Sequence, residues 1–144
     1  MRRSTITVLP LLLAVATGCG AVGAAQEAVS PTTVRVLVRD INIRAAGVDC
    51  AGTGPYQHFH NRAPFRVLDP DGAALASGQL PAGTAVAAFA EDLGVERLPT
   101  YCEFAVGVRV PQRASYRLEV DGRQALDLTP DSSEGRALAA VVPS

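Results

Sequence analysis

Residues 104–122 read FAVGVRVPQRASYRLEVDG and carry the clearest strand pattern of the chain. Apolar side chains alternate at every second position over 104–110 and again over 116–120, which is typical of β-strands with one buried face. The Asp121-Gly122 pair that follows is a strong hairpin signal, because both residue types accept the positive φ angles of a tight turn. We therefore predict two strands here and a return strand at 125–128.

Strand patterns also occur elsewhere along the chain, at 34–43, 65–68, 73–80 and 137–142. The first extends through Ile41 and Ile43 and predicts a strand or a pair of bent strands. The turn sequence Asp69-Pro70-Asp71-Gly72 separates the second from the third and predicts a hairpin. Residues 84–95 have both helical and strand periodicity, so the choice between helix and strand stays open there.

Six or seven short strands with few helices predict an all-β fold. We expect an antiparallel β-sandwich of immunoglobulin-like or transthyretin-like type. The chain has no tryptophan, so the core residue typical of immunoglobulin domains is missing. The length after the N-terminal segment suits a single domain, which we place at 33–144.

The N-terminus has the three-part layout of an export signal. Arg2 and Arg3 precede an apolar run over 6–15, and small residues follow it. The run is too short for a membrane-spanning helix, which needs about 20 apolar residues. One alternative is ordinary secretion, in which cleavage near Ala16 or Ala25 would release a freely secreted protein.

The tetrapeptide Ala16-Thr17-Gly18-Cys19 resembles the lipobox of bacterial lipoprotein precursors. This resemblance implies a lipoprotein signal peptide at 1–18 and a diacylglyceryl or palmitate anchor on Cys19. It also implies a lipid-anchored protein on the outer face of the cytoplasmic membrane. Residues 19–32 are small or polar for the most part, and they predict a flexible tether ahead of the domain.

If Cys19 carries lipid, the remaining cysteines are Cys50 and Cys102. In an oxidising compartment two remaining cysteines usually pair, so we predict one disulfide. Free buried thiols and metal ligands are the alternatives.

The mature part resembles a group of small exported actinobacterial proteins of unknown role over residues 33–142. The motifs that carry the resemblance are Cys50-Ala51-Gly52-Thr53-Gly54-Pro55-Tyr56, Val67-Leu68-Asp69-Pro70-Asp71-Gly72, Ser77-Gly78-Gln79-Leu80, Cys102-Glu103-Phe104, Val110-Pro111 and Tyr116-Arg117-Leu118-Glu119-Val120. The resemblance implies a disulfide-linked β-sandwich and no particular activity. The use of arginine without any lysine is in keeping with a GC-rich actinobacterial genome.

The charges argue against two classes of partner. Without Arg2 and Arg3 the chain has 11 basic and 14 acidic residues, and no charge run. A nucleic-acid partner would call for a clustered basic face, so we predict none. No basic amphipathic helix is visible either, so membrane contact is expected only through the N-terminal lipid.

His58-Phe59-His60 is the one constellation that suggests metal chemistry, because residues two apart on a strand face the same side. It is similar to the His-x-His strand of copper-zinc superoxide dismutases. These two are the only histidines, and further ligands would have to be carboxylates such as Asp49 or Glu103. We therefore predict no metal and no other cofactor. A metal-binding protein or enzyme that uses His58 and His60 is kept as an alternative.

Tyr56, His58, Phe59, His60 and Arg62 form an amphipathic segment that we predict to be a recognition surface, since loops on a rigid scaffold often bind ligands. In the alternative interpretation Phe59, like Phe65, simply caps the core. No catalytic serine motif is present, so no catalytic residue is assigned. The sequence thus predicts a non-catalytic binding or structural module of the cell envelope, with an envelope protein or glycan as its partner and an unknown oligomeric state.

Overall fold

The computed structural model describes residues 26–91, 94–95, 97–131 and 136–143. The strands formed by these residues are β1 (Val29–Asp40), β2 (Asp49–Cys50), β3 (Pro64–Leu68), β4 (Ala74–Gln79), β5 (Gly83–Ala87), β6 (Thr100–Pro111), β7 (Tyr116–Val120), β8 (Leu126–Asp131) and β9 (Ala137–Val142). The one helical element among them is a 3₁₀ turn at Gly54–Tyr56. The predicted signal peptide at 1–18 and Cys19 lie outside the described residues. No helix in the described part is long and apolar enough to cross a membrane.

All the strands join in one sheet with the order β2-β5-β6-β1-β9-β8-β7-β3-β4. The long strands β1 and β6 pair antiparallel over their whole length, from Val29 opposite Pro111 to Asp40 opposite Thr100. Strand β9 lies on the other side of β1 and runs parallel to it, whereas the remaining neighbours are antiparallel. Below, the proximal end is the end where β1 begins, and the distal end is the end where β1 and β9 finish.

The core lies inside the curl of this sheet. Alternate residues of β1, β6 and β7 point into it, as their period of two predicts. Val34, Val36 and Val38 are fully buried, and Phe104 and Leu118 meet them from other strands. The all-β prediction is therefore confirmed.

The finer prediction of six or seven antiparallel strands differs from the structure, which has nine strands and one parallel pair. Strand β5 accounts for part of the difference, because it lies in the segment left open between helix and strand. Strand β8 joins the two halves of the sheet into one, because residues 126–128 pair with β7 and residues 129–131 pair with β9. Periodicity reports which side chains are buried but not which strand lies alongside or in which direction it runs.

The predicted continuation of β1 through Ile41 and Ile43 is wrong. The buried carboxylate of Asp40 accepts hydrogen bonds from the Asn42 backbone N–H (2.9 Å) and from Arg44 Nε (2.9 Å). These bonds turn the chain out of the sheet, and Ile43 has a φ of 44°. At its other end β1 begins at Val29, so residues 29–32 of the predicted tether pair with β6.

Both predicted hairpin turns are present. The buried Asp69 carboxylate accepts hydrogen bonds from the backbone of Asp71 and Ala73, at 2.9 and 2.8 Å, and holds the turn between β3 and β4. Asp121 and Gly122 have φ angles of 51° and 66° in the turn between β7 and β8.

The connection from β6 to β7 carries the chain to the other side of the core at the proximal end. The buried Tyr116 hydroxyl donates a hydrogen bond to the Pro111 carbonyl (2.8 Å) and accepts one from the Arg113 backbone N–H (2.9 Å). This arrangement matches the tyrosine corner of β-sandwich proteins.

The predicted disulfide between Cys50 and Cys102 is confirmed, with a Cα–Cα distance of 5.8 Å. It links the two-residue strand β2 to β6. Gly83 of the intervening strand lies against it, and a Cβ there would come within 2.5 Å of Cys102 Sγ. Only glycine leaves room for the bridge.

Candidate functional site

Loop 51–63 follows the disulfide and leads from β2 to β3. Its two arms are tied by a hydrogen bond from Gly52 N–H to the Phe59 carbonyl (2.7 Å), and Phe59 N–H donates in turn to the Tyr56 carbonyl (2.9 Å). A Cβ on Gly52 would lie 1.9 Å from the Tyr56 carbonyl oxygen, so this close approach requires glycine. The loop is therefore a compact structure with a fixed shape.

Phe59 attaches the loop to the core. Its side chain is 2 % exposed, and its ring centroid lies 6.4 Å from that of Phe104. The half-buried His58 ring packs beside it at 4.2 Å. The alternative interpretation, in which Phe59 and Phe65 belong to the core, agrees with their burial.

A cavity of about 320 Å³ lies between this loop and the β7–β8 turn; we call it the end cavity. It is lined by Pro55, Tyr56, His58, Phe59, Val120, Arg123, Gln124, Leu126 and Val142. The apolar members Phe59, Val120 and Val142 are buried, whereas Arg123 and Gln124 are exposed. An apolar interior with a few polar groups at its mouth is the usual composition of a small-molecule site.

The structure brings together three of the five predicted surface residues. Tyr56, His58 and Phe59 line the end cavity, but His60 and Arg62 do not. His60 Nδ1 lies 2.8 Å from the Asn61 carbonyl oxygen, and both His60 and Arg62 are exposed.

The two histidines also lie in a turn and not on a strand, so the rule that places alternate residues on one face does not apply to them. In the part of the chain that the structure describes, no three His, Cys, Asp or Glu side chains are arranged to hold a metal ion.

Arg123 and Gln124 are the polar cavity residues that were not predicted from the sequence. They follow the Asp121-Gly122 turn, which the Arg123 N–H closes by donating to the Val120 carbonyl (3.0 Å). The turn itself was visible in the sequence. Its position beside loop 51–63 depends on β7 pairing with β3, with Val120 opposite Phe65.

The electrostatics of the cavity centre on His58. Burial lowers the pKa of its imidazole, and the positive charge of Arg123 lowers the pKa further. The carboxylate of Asp121 and the Pro55 carbonyl raise the His58 pKa by smaller amounts, and His60 lowers it slightly. The net effect favours the neutral imidazole. Its buried Nδ1 lacks a hydrogen-bond partner of good geometry among the described residues, although the Pro55 carbonyl lies close enough to the ring to raise its pKa.

Larger concavities lie elsewhere. One of about 580 Å³ at the proximal end has its arginines already paired, Arg113 with Glu27 and Arg136 with Gln112. Another, of about 630 Å³, lies at the distal loops, which include residues 41–48, 88–91, 94–95 and 97–99. Its surroundings include the exposed apolar side chains Ile41, Ile43, Val48, Phe89 and Val95. Apolar side chains clustered on loops are typical of protein contact surfaces.

Comparisons with known proteins give no further indication of function, which is therefore inferred from the geometry described above. No protein-family model, no curated protein and no solved structure matches the chain. The polar groups that line the end cavity are a phenol, an imidazole, a guanidinium and an amide, which are the hydrogen-bonding groups of a binding site.

Proposed function

We propose that this protein is an exported, lipid-tethered, non-catalytic binding module of the cell envelope, and that the end cavity is its ligand site. The observation that carries the proposal is the cavity itself, in which buried apolar side chains and polar groups, among them the imidazole of His58, meet beside a loop of fixed shape. Its composition matches that of small-molecule sites, and the adjoining disulfide limits the motion of the loop.

The direction of the chain supports a tethered arrangement. The N-terminal segment enters at the proximal end, whereas the end cavity lies beside Val142, at the distal end of β9. Strand β1 has 12 residues and, at about 3.3 Å per residue, separates the two ends by roughly 36 Å. A lipid on Cys19 would thus leave the cavity open to the envelope. The apolar distal loops would be free to contact an envelope protein or glycan.

As part of the same proposal, the curled sheet is a variant of the immunoglobulin-like or transthyretin-like sandwich. The tyrosine corner at Tyr116 favours this relationship, because the same hydrogen bonds close a corner of such sandwiches.

The binding proposal is tested by blocking the cavity mouth. A small-molecule screen by NMR on the full chain should find ligands that shift the signals of His58 and Tyr56. Gln124→Trp should abolish these shifts, because the indole fills the mouth from an exposed position that tolerates the change. Gln57→Trp is the matched control, since Gln57 is exposed on the same loop but does not line the cavity. Ligands that bind the Gln124→Trp variant unchanged would contradict the proposal.

Anchoring is tested separately. Cys19→Ala should move the protein from the membrane fraction to the medium, because the acyl chains provide the attachment. Full retention of the variant in the membrane would contradict the lipid tether, and an unacylated wild-type N-terminus found by mass spectrometry would favour free secretion.

A further inference from the structure

We propose that the end cavity binds a small organic monocarboxylate, with its hydrocarbon part against Phe59, Val120 and Val142 and its carboxylate on Arg123. This inference rests on the proposed binding function and specifies the chemical class of the ligand.

Arg123 is the residue that points to an anion. Its guanidinium makes no hydrogen bond or ion pair with any described residue. Several other arginines are engaged: Arg66 of β3 pairs with Glu119, and Arg44, in the loop after β1, pairs with Asp40. What distinguishes Arg123 from exposed arginines such as Arg39 is its place in the lining of the end cavity. An unengaged guanidinium at the mouth of an apolar cavity offers a planar pair of donors, and a carboxylate matches that geometry with two parallel hydrogen bonds.

The charge of the lining points to a single negative charge on the ligand. Arg123 is its one permanent cation, since the lowered pKa of His58 favours the neutral imidazole. The Asp121 carboxylate is close enough to act on His58 and adds negative charge nearby. A phosphate monoester, with nearly two negative charges, would therefore be poorly compensated.

The apolar part of the lining sets the size. Pro55 is exposed and Tyr56 and Leu126 are half-buried, so these lining side chains can remove a hydrocarbon group from water, and the buried Phe59, Val120 and Val142 complete the apolar lining. The volume of about 320 Å³ is at the low end of the range for ligand cavities, about 300 to 1,000 Å³. Short aliphatic or single-ring carboxylates fit this limit.

Protonation of His58 should be linked to binding. The groups that act on its imidazole are Arg123 and His60, which disfavour its protonation, and Asp121, which favours it; Tyr56 also lines the same cavity. A bound carboxylate adds a second negative charge and stabilises the imidazolium. Affinity should therefore increase as the pH falls through the His58 pKa, as long as the ligand stays ionised, which holds above about pH 5.

The experiment compares hexanoate, hexanol and hexyl phosphate on the full chain by NMR titration. Hexanoate should bind most tightly. Arg123→Gln should weaken hexanoate binding by about 10-fold or more, as expected for a lost charge-assisted hydrogen bond, and should weaken hexanol binding much less. Arg109→Gln is the matched control, because Arg109 is exposed and lies at the proximal end.

The His58 pKa gives an independent measurement. It should rise when hexanoate binds and should also rise in the unliganded Arg123→Gln variant, because a neighbouring positive charge is removed. A purely structural role of Arg123 would not produce both shifts.

The possible failures are distinguishable. If hexanol binds as tightly as hexanoate and Arg123→Gln changes nothing, the carboxylate assignment is overturned while cavity binding stands. Tighter binding of hexyl phosphate would overturn the single-charge argument. If no probe binds, or if binding persists in Gln124→Trp, the inference and the proposed function both fail.

Discussion

Reduction of the disulfide between Cys50 and Cys102 should destabilise the protein and disrupt the end cavity together. The bridge joins residues 52 positions apart. For a loop of that length the chain-entropy relation gives a loss of about 4 kcal/mol in the free energy of unfolding. Strand β2 is short, since only Asp49 and Cys50 pair with β5, and the residues before it add two backbone hydrogen bonds to Ala85. Loop 51–63 should therefore loosen at its base, and hexanoate binding should weaken.

The assay is urea unfolding of the full chain with and without reductant, with thiol titration to verify reduction. Reduction removes no atoms, so the difference reports the cross-link and not a cavity left by a truncated side chain. Cys19→Ala in the oxidised protein is the control and should leave the free energy of unfolding unchanged, because Cys19 precedes the predicted domain. Identical unfolding curves for the oxidised and verified reduced protein would refute the reasoning.

Three further changes test particular contacts by urea unfolding. Tyr116→Phe should cost about 1 to 3 kcal/mol, because it removes two hydrogen bonds of a buried hydroxyl; a loss below about 0.5 kcal/mol would contradict the corner assignment. Gly52→Ala should cost about 1 to 3 kcal/mol through its clash with the Tyr56 carbonyl oxygen, whereas Gly107→Ala, with open space around its Cβ, should cost nothing. Because the folded-state pKa of His58 is lowered, stability should fall as the pH drops below about 6.5; His58→Gln should remove this dependence and His60→Gln should keep it.

The features of the fold that depend on residues close together in the sequence were predictable. The alternation over 104–110 and 116–120 identified the buried faces of β6 and β7. The turns at Asp69 and Asp121 were recognisable because they contain residue types that favour tight turns. The end of β1 at Asp40 was not predictable, because Ile41 and Ile43 continue the apolar pattern. The hydrogen bonds of the Asp40 carboxylate, to Asn42 and to Arg44, outweigh that pattern.

The same distinction applies to the candidate site. Its local segment was recognisable in the sequence, but the distant residues that complete it were not. The segment around Tyr56 and His58 stood out by composition, and it does line a cavity. Its other wall comes from Arg123, 65 positions after His58. That neighbourhood depends on β3 pairing with β7, and no residue near His58 encodes this choice of partner.

The same topology explains why His60 and Arg62 do not line the cavity although they are neighbours of His58 in sequence. The chain must turn between the buried Phe59 and the first residue of β3, and Arg62 takes a φ of 70° to make that turn. The Arg62 N–H donates to the Leu80 carbonyl (2.8 Å), and the Ala63 carbonyl accepts from the Leu80 N–H (2.9 Å), so the backbone here follows β4. A segment tied to β4 at one end and to the core by Phe59 at the other can present only its first half to the β7–β8 turn. The polar group that completes the site must therefore come from that turn, which is where Arg123 stands.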